Sequence, residues 1–321
     1  MRDGGLPTDT SKGEPATGIP KGETPVDTSK RDPAAGMPKG DSPVDTLKAL
    51  TPARYLAWLY STDAQKPVLA ALLEIEAEIA SGLRPGIEHH VAHARLQWWS
   101  EEATRYAEGV PVHPLARALL KARANAGAGG RADIAAGSPM GIAGFVDTAV
   151  WDLASATFET RKELTAYCER WAAAMFETAA VSPSPWKNLG AAVREVELLT
   201  DLARAARIGR IRIPLDELDR VGVDANSLAK LPWPVPLATL LKERHEALRV
   251  IIASNVAAFA PDEQMALRGL LVWVALTWRL SVRAERALPN GIPPRRYDAL
   301  ADGWQAWRAA RRAAAGKLRL D

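Results

Sequence analysis

Cysteine is almost absent, Cys168 being the single one in 321 residues. One thiol can neither close an internal disulfide nor build a Cys-based zinc site, so the chain reads as a protein of a reducing compartment. Long apolar runs are missing too. The longest uncharged apolar runs, 269–278 and 250–261, fall well short of the roughly 20 residues that cross a bilayer. The N-terminus lacks the apolar core of a secretory signal, and its acids match its bases in frequency, against an Arg-rich transit peptide. The expectation is a cytoplasmic protein. An excess of one charge is also lacking: Lys and Arg number 41 and Asp and Glu 38. The basic surplus sits in 295–321, while 49–294 is balanced, so no broad nucleic-acid-binding face is implied and nucleic acid is not an expected partner. No G-x-G-x-x-G, Walker A or nucleophile-elbow pattern occurs, and the glycines at 127–130 lack the Lys-Ser/Thr of a phosphate loop.

What is present suffices for a globular protein: 47% of residues are hydrophobic and 25% charged, which excludes wholesale disorder. The apolar material is unevenly placed. Residues 7–24 and 25–42 match at 11 of 18 positions, and a third copy begins at Pro43. These repeats of Pro, Gly, Asp, Thr and Lys have almost nothing to bury, so an ordering cost of about 1–2 kcal/mol per residue goes uncompensated. Residues 1–48 are expected to form a disordered, repeat-containing tail and residues 49–321 one all-α domain.

From Thr51 onward apolar residues recur at helical spacing, with no sustained strand-like alternation. The pattern predicts helices over about 63–82, with Asp63 as cap, 86–108, and from Pro114 into the glycine-rich loop at 125–130. Thr160-Arg-Lys-Glu163 has the form of a capping box opening a helix to about Ala180. Further helices are expected at about 186–207, 236–259, 262–287 and 294–315, giving a single-domain helical bundle. The 11 tryptophans serve as packing material between helices or, alternatively, as the lining of an apolar ligand cavity.

Arg95-Leu-Gln-Trp-Trp99, then His113-Pro-Leu-Ala-Arg-Ala-Leu119, resembles the squalene/phytoene synthase family, of the isoprenoid synthase fold. Leu189-Gly-Ala-Ala192, Asp201, Gly209-Arg-Ile-Arg-Ile-Pro214 and Asp216-Glu-Leu218 are similar to the segment around that family's second aspartate-rich motif. Tyr167-Cys168 stands where the family tends to carry a Tyr-Cys pair. The matches run in order across about 52–312. Residues 71–80 (ALLEIEAEIA), leading into Arg95–Trp99, look most like the branch containing the mitochondrial complex I assembly factor and its bacterial relatives.

The resemblance implies head-to-head condensation of prenyl diphosphates, with Mg²⁺ held between two facing D-x-x-x-D helices. This sequence departs at those positions. The first aspartate pair falls on Ala80 and Arg84, and the second on Asp201 and Ala205, with Arg204 where a Glu is usual. A guanidinium beside a Mg²⁺ site repels the ion, and one carboxylate cannot enforce octahedral geometry. Glu74 and Glu78, Asp147 and Asp152, and Glu195, Glu197 and Asp201 are the acids near enough in sequence to compensate; otherwise they are solvated or internally paired helix charges.

Three readings follow. A catalytically degenerate member acts as an assembly or interaction factor, without cofactor, with a protein partner or a membrane-surface complex as the resemblance implies. A divergent prenyl-diphosphate transferase uses Glu197 and Asp201 as catalytic and Mg²⁺-binding residues. A metal-independent binder takes a prenyl or anionic lipid ligand through Arg84, Arg95, Arg204 and Arg207, with Trp98, Trp99 and Tyr167 lining its cavity. His89 and His93, at i,i+4, have the spacing for one metal ion but no placed third ligand, and exposed histidines explain them equally. The arginines at 308, 311, 312 and 319 with Lys317 suit acidic headgroups or RNA, or simply the C-terminal end of a helix.

Overall fold

The computed structural model describes residues 51–84, 86–126, 141–180, 185–291 and 299–320. The repeats and the expected tail lie outside these residues, as do most of the glycine-rich loop and the start of the last expected helix. Among the described residues every regular element is helical. They run α1 (Pro52–Tyr60), α2 (Gln65–Ser81), α3 (His89–Ala107), α4 (Pro114–Asn125), α5 (Ala143–Leu153), α6 (Arg161–Ala172), α7 (Trp186–Thr200), α8 (Leu202–Arg207) and α9 (Leu215–Arg220). After a 3₁₀ turn at Ala225–Ala229 come α10 (Val235–Ala258), α11 (Pro261–Ala266), α12 (Arg268–Ala287) and α13 (Ala299–Ala314). A π-helical turn, Ala173–Glu177, followed by Thr178–Ala180, prolongs α6.

The expected helices at 63–82, 86–108 and 236–259 form within a few residues of those bounds. Two local expectations are corrected. Asp63 does not cap α2; it meets Lys66 at 3.4 Å, and the Thr62 hydroxyl accepts from the Gln65 amide at 3.3 Å. The box at Thr160 does not close: the Glu163 carboxylate accepts from the amide of Glu159, one residue before the cap, at 2.8 Å, and the Thr160 hydroxyl makes no capping bond. The stretches expected at 186–207 and 262–287 are each broken, at Asp201 and at Leu267.

Helices α7 and α12 form the middle of the bundle, α7 against α6, α10 and α12, and α12 against α1, α10 and α13. The first half of α12, from Gly269 to Thr277, is buried on every side, as a helix apolar all round must be. Gly269 permits the closest approach: an added Cβ would lie 2.0 Å from the Ser61 hydroxyl oxygen and 2.5 Å from the Ala57 carbonyl. α1 is thereby pressed onto α12, which fixes where Arg54 points. Between α6, α7 and α12 the interior is aromatic. The Phe176 ring stacks on Trp186 at 5.3 Å and tilts against Trp273 at 5.0 Å, and Trp171 meets Trp273 edge-on at 5.9 Å. Pairs of this kind add about 0.5–1.5 kcal/mol each beyond their buried area.

Candidate functional site

The charged centre of the bundle is assembled from charges on three helices, α1, α2 and α7, with an indole from each of α6 and α12. Thr51-Pro52 opens α1, the proline at its first position supplying a fixed φ where no amide partner is needed. Arg54 follows within the first turn. Its guanidinium bridges Glu76 of α2 and Glu197 of α7, the latter at 3.2 Å. Each acid is also held by an indole: Trp171 donates to Glu76 at 2.8 Å and Trp273 to Glu197 at 3.1 Å. Arg194, one turn before Glu197, donates to it at 3.2 Å. Both guanidiniums lie over aromatic faces, Arg54 at 5.0 Å from the Trp273 centroid and Arg194 at 4.7 Å from that of Trp171, a cation–π placement that gains when desolvated. These side chains are only 13–19% exposed, so charge here persists only because it is paired.

Protonation follows from the pairing. Burial pulls the Arg54 guanidinium down, but Glu76 and Glu197 outweigh it and hold it above its ordinary value. Arg194 behaves alike, burial being overcome by Tyr167 and Glu197. Burial pushes the Tyr167 hydroxyl and the Cys168 thiol up. Neither is a nucleophile at neutral pH.

Two further clusters adjoin this centre. Glu195 is clamped between Arg161 at 2.6 Å and the fork of Arg244 at 2.6 and 2.9 Å, and Arg161 also grips Glu217 at 2.5 and 2.7 Å. Asp152 accepts from Arg212 at 2.7 Å and from the Tyr167 hydroxyl at 3.2 Å. The space bounded by Arg161, Arg212, Glu217 and Arg244 measures about 10 Å³, about the room of one water molecule. A cleft of about 360 Å³ lies elsewhere, against Arg220, Pro236, Thr239 and Glu243.

The residues singled out by sequence are only partly brought together. Glu197 and Tyr167 join the centre. Asp201 does not share the partners of Glu197: it stands at the break after α7, half-exposed, its two oxygens held by Arg204 at 2.6 and 2.7 Å. Ala80 and Arg84 are exposed, as are Arg95 and Arg204. Arg207 is exposed and donates to the Ala229 carbonyl at 3.3 Å. Trp98 and Trp99 pack on His113 at the α3–α4 corner, with centroids 5.5 and 4.7 Å away. There Glu102, fully buried, accepts from the amides of Val112 and His113 at 2.9 and 2.7 Å, so the Arg95–Leu119 motif builds a corner. His113 in turn reaches Glu78 at 3.3 Å, Asp147 is exposed, and His89 and His93 face each other on the surface with ring nitrogens 3.1 Å apart.

Sequence reasoning missed Arg54 and Glu76. The signal for Glu76 was available: it falls on the apolar stripe of Leu69, Leu72 and Leu73, and an acid on such a stripe needs a buried partner. Arg54 carried no signal beyond the Thr-Pro start of a short helix.

The Mg²⁺ that the synthase resemblance implies does not fit these donors. Both oxygens of each inward carboxylate are already engaged, by a guanidinium and an indole, and Asp201 is paired with Arg204. The buried atoms left without partners at this centre, Arg54 Nε and Arg194 Nε, are donors and suit an acceptor, not a cation. Among the described residues no group of three or more His, Cys, Asp or Glu is gathered as a metal ion would need.

A comparison with curated proteins gave no match. Among solved structures the chain resembles a dehydrosqualene synthase crystallised with a ligand, with a TM-score of 0.62 and 17% identity over 84% of this chain and 93% of the other. That likeness establishes the helical isoprenoid synthase fold. The squalene/phytoene synthase family model matches residues 48–296, and the chain belongs to that family.

Proposed function

We propose that this chain keeps the synthase fold without its prenyl-transfer chemistry and serves as an assembly or interaction factor. The observation that carries this reading is the Arg54 bridge between Glu76 and Glu197. In the family's chemistry facing carboxylates hold divalent metal against a diphosphate; here the charge between the facing carboxylates is the protein's own cation. An internal guanidinium needs no cofactor, and it removes the negative potential that would recruit one. The aromatic packing of Trp171, Phe176, Trp186 and Trp273 supports the same reading, because it fills the interior beside that bridge. So does the resemblance of residues 71–80 and 95–99 to the complex I assembly branch.

A thermal melt of the full chain with and without Mg²⁺ and inorganic diphosphate tests the reading. Ligands that bind the native state raise Tm with concentration. The expected result is no shift from the pair added together; a saturable rise requiring both would contradict it and favour the transferase built on Glu197 and Asp201.

A further inference from the structure

Helix α13 is apolar on the wrong side for a helix that merely packs. Its inward stripe consists of small residues and one acid: Asp302, Ala306, Ala309, Ala310 and Ala313 are all buried. Its bulky apolar residues point outward. Leu300 is 87% exposed, Trp304 56% and Trp307 38%, and their spacing of four and three puts them on one face. The two indoles stack, centroids 4.8 Å apart, and the Arg311 guanidinium continues the face 5.4 Å from the Trp307 ring. Exposed tryptophans in register with an exposed leucine cost the free protein the transfer energy of the apolar area they leave in water.

Basic side chains flank this stripe on the side of Arg308. Arg308, Arg311 and Arg312 share α13, and exposed Arg279, Arg283 and Arg286 stand on the neighbouring α12. The acids facing them are few. Asp302 lies 3.6 Å from Arg283, and Glu285 is turned to Arg249. Burial, then Arg283 and Arg308, press the Arg279 guanidinium below its ordinary value. Such crowding of like charge is relieved by a polyanionic surface.

We propose that the outer face of α13, with the arginines of α12 beside it, docks the protein on the surface of anionic lipid bilayers. Indoles settle at the headgroup level, and arginine stems lie along apolar surface while their heads meet phosphate. No described helix is long and apolar enough to cross a membrane, so α13 lies in the interface plane, as an amphipathic helix with an aromatic face and basic flanks does. The exposed leucine and the closed indole stack favour lipid over RNA, whose bases need an aromatic face left open. Nothing in this placement depends on whether the Arg54 centre turns over substrate.

Flotation of the full chain with vesicles of phosphatidylcholine alone, or mixed with phosphatidylglycerol, tests the proposal. The wild type is expected to float with the mixed vesicles only, less so as sodium chloride rises. Arg308→Gln with Arg311→Gln should lower the partition coefficient by about fivefold per arginine, and Trp304→Ser with Trp307→Ser by at least about tenfold. Melting curves establish that these surface variants fold, and Leu300→Asp provides a third variant should either pair fail to. Equal binding to neutral vesicles, no flotation, or wild-type binding by the folded variants would overturn the proposal. So would release by inorganic phosphate at matched ionic strength, which marks a free-anion site, or preferential retention of single-stranded RNA.

Discussion

Replacing Arg54 by methionine removes the one cation shared by α1, α2 and α7 while keeping most of its apolar stem. Glu76 is then left with the Trp171 indole as its hydrogen-bond donor, whereas Glu197 retains Arg194 and Trp273. Breaking a buried pair costs about 3–5 kcal/mol because an uncompensated charge stays behind. Partial access of water to these side chains and the retained partners of Glu197 put the loss near the low end, about 3 kcal/mol. In a domain of this size each kcal/mol moves Tm by about 2–4 °C, so a fall of roughly 6–12 °C is expected by circular dichroism. Adding Glu76→Gln to Arg54→Met should restore about 1–2 kcal/mol, since the orphaned charge is then gone. An Arg54→Met melt within about 2 °C of wild type, or strictly additive effects in that cycle, would refute the picture of a charge-locked centre.

Three other outcomes follow from particular contacts. Gly269→Val places a side chain where Ser61 and Ala57 already lie within 2.0 and 2.5 Å, and should cost at least about 3 kcal/mol in chemical denaturation; an unchanged midpoint would mean that α1 and α12 do not approach so closely. His245, buried against Ser281 at 3.0 Å, has its pKa lowered to about 4, chiefly by burial and then by Arg249, with Glu285 and Glu195 opposing. Between that value and 6.5 the unfolded chain binds the extra proton, so this contribution is complete above about 6.5 and lost as pH falls toward 4, amounting to about 3 kcal/mol; His245→Gln should flatten that part of the stability–pH curve, and an unchanged slope would argue against it. Cys168, buried and with its thiol pushed up, should resist iodoacetamide in native buffer and react on unfolding, as followed by intact mass; rapid native labelling would place it on the surface.

Helix identity was legible because period and length agreed: Val68, Leu69, Leu72, Leu73, Ile75 and Ile79 mark α2, and all are buried. Helix breaks were not, since Asp201 and Leu267 carry neither Pro nor Gly and interrupt runs whose apolar spacing continues across them. α1 and α5 are short, and without the bundle neither has enough periodicity to stand out. The site was half legible. Glu197 stood out through the family motif, but Arg54 pairs with residues 22 and 143 positions away, a juxtaposition that only the packing of α1 on α12 produces. Counting i,i+4 acids favoured Glu74 and Glu78, whereas the inward residue is Glu76 between them; burial, not spacing, decides which acid of such a run reaches the centre.

The claim that the centre is locked by its own arginine is tested most directly by turnover. Purified full-length protein is incubated with farnesyl or geranylgeranyl diphosphate and Mg²⁺, and released diphosphate is counted against a no-protein blank. No release above the blank is expected, for wild type and for Asp201→Ala alike. Mg²⁺-dependent release by the wild type that Asp201→Ala abolishes, with the helical fold intact, would contradict the account.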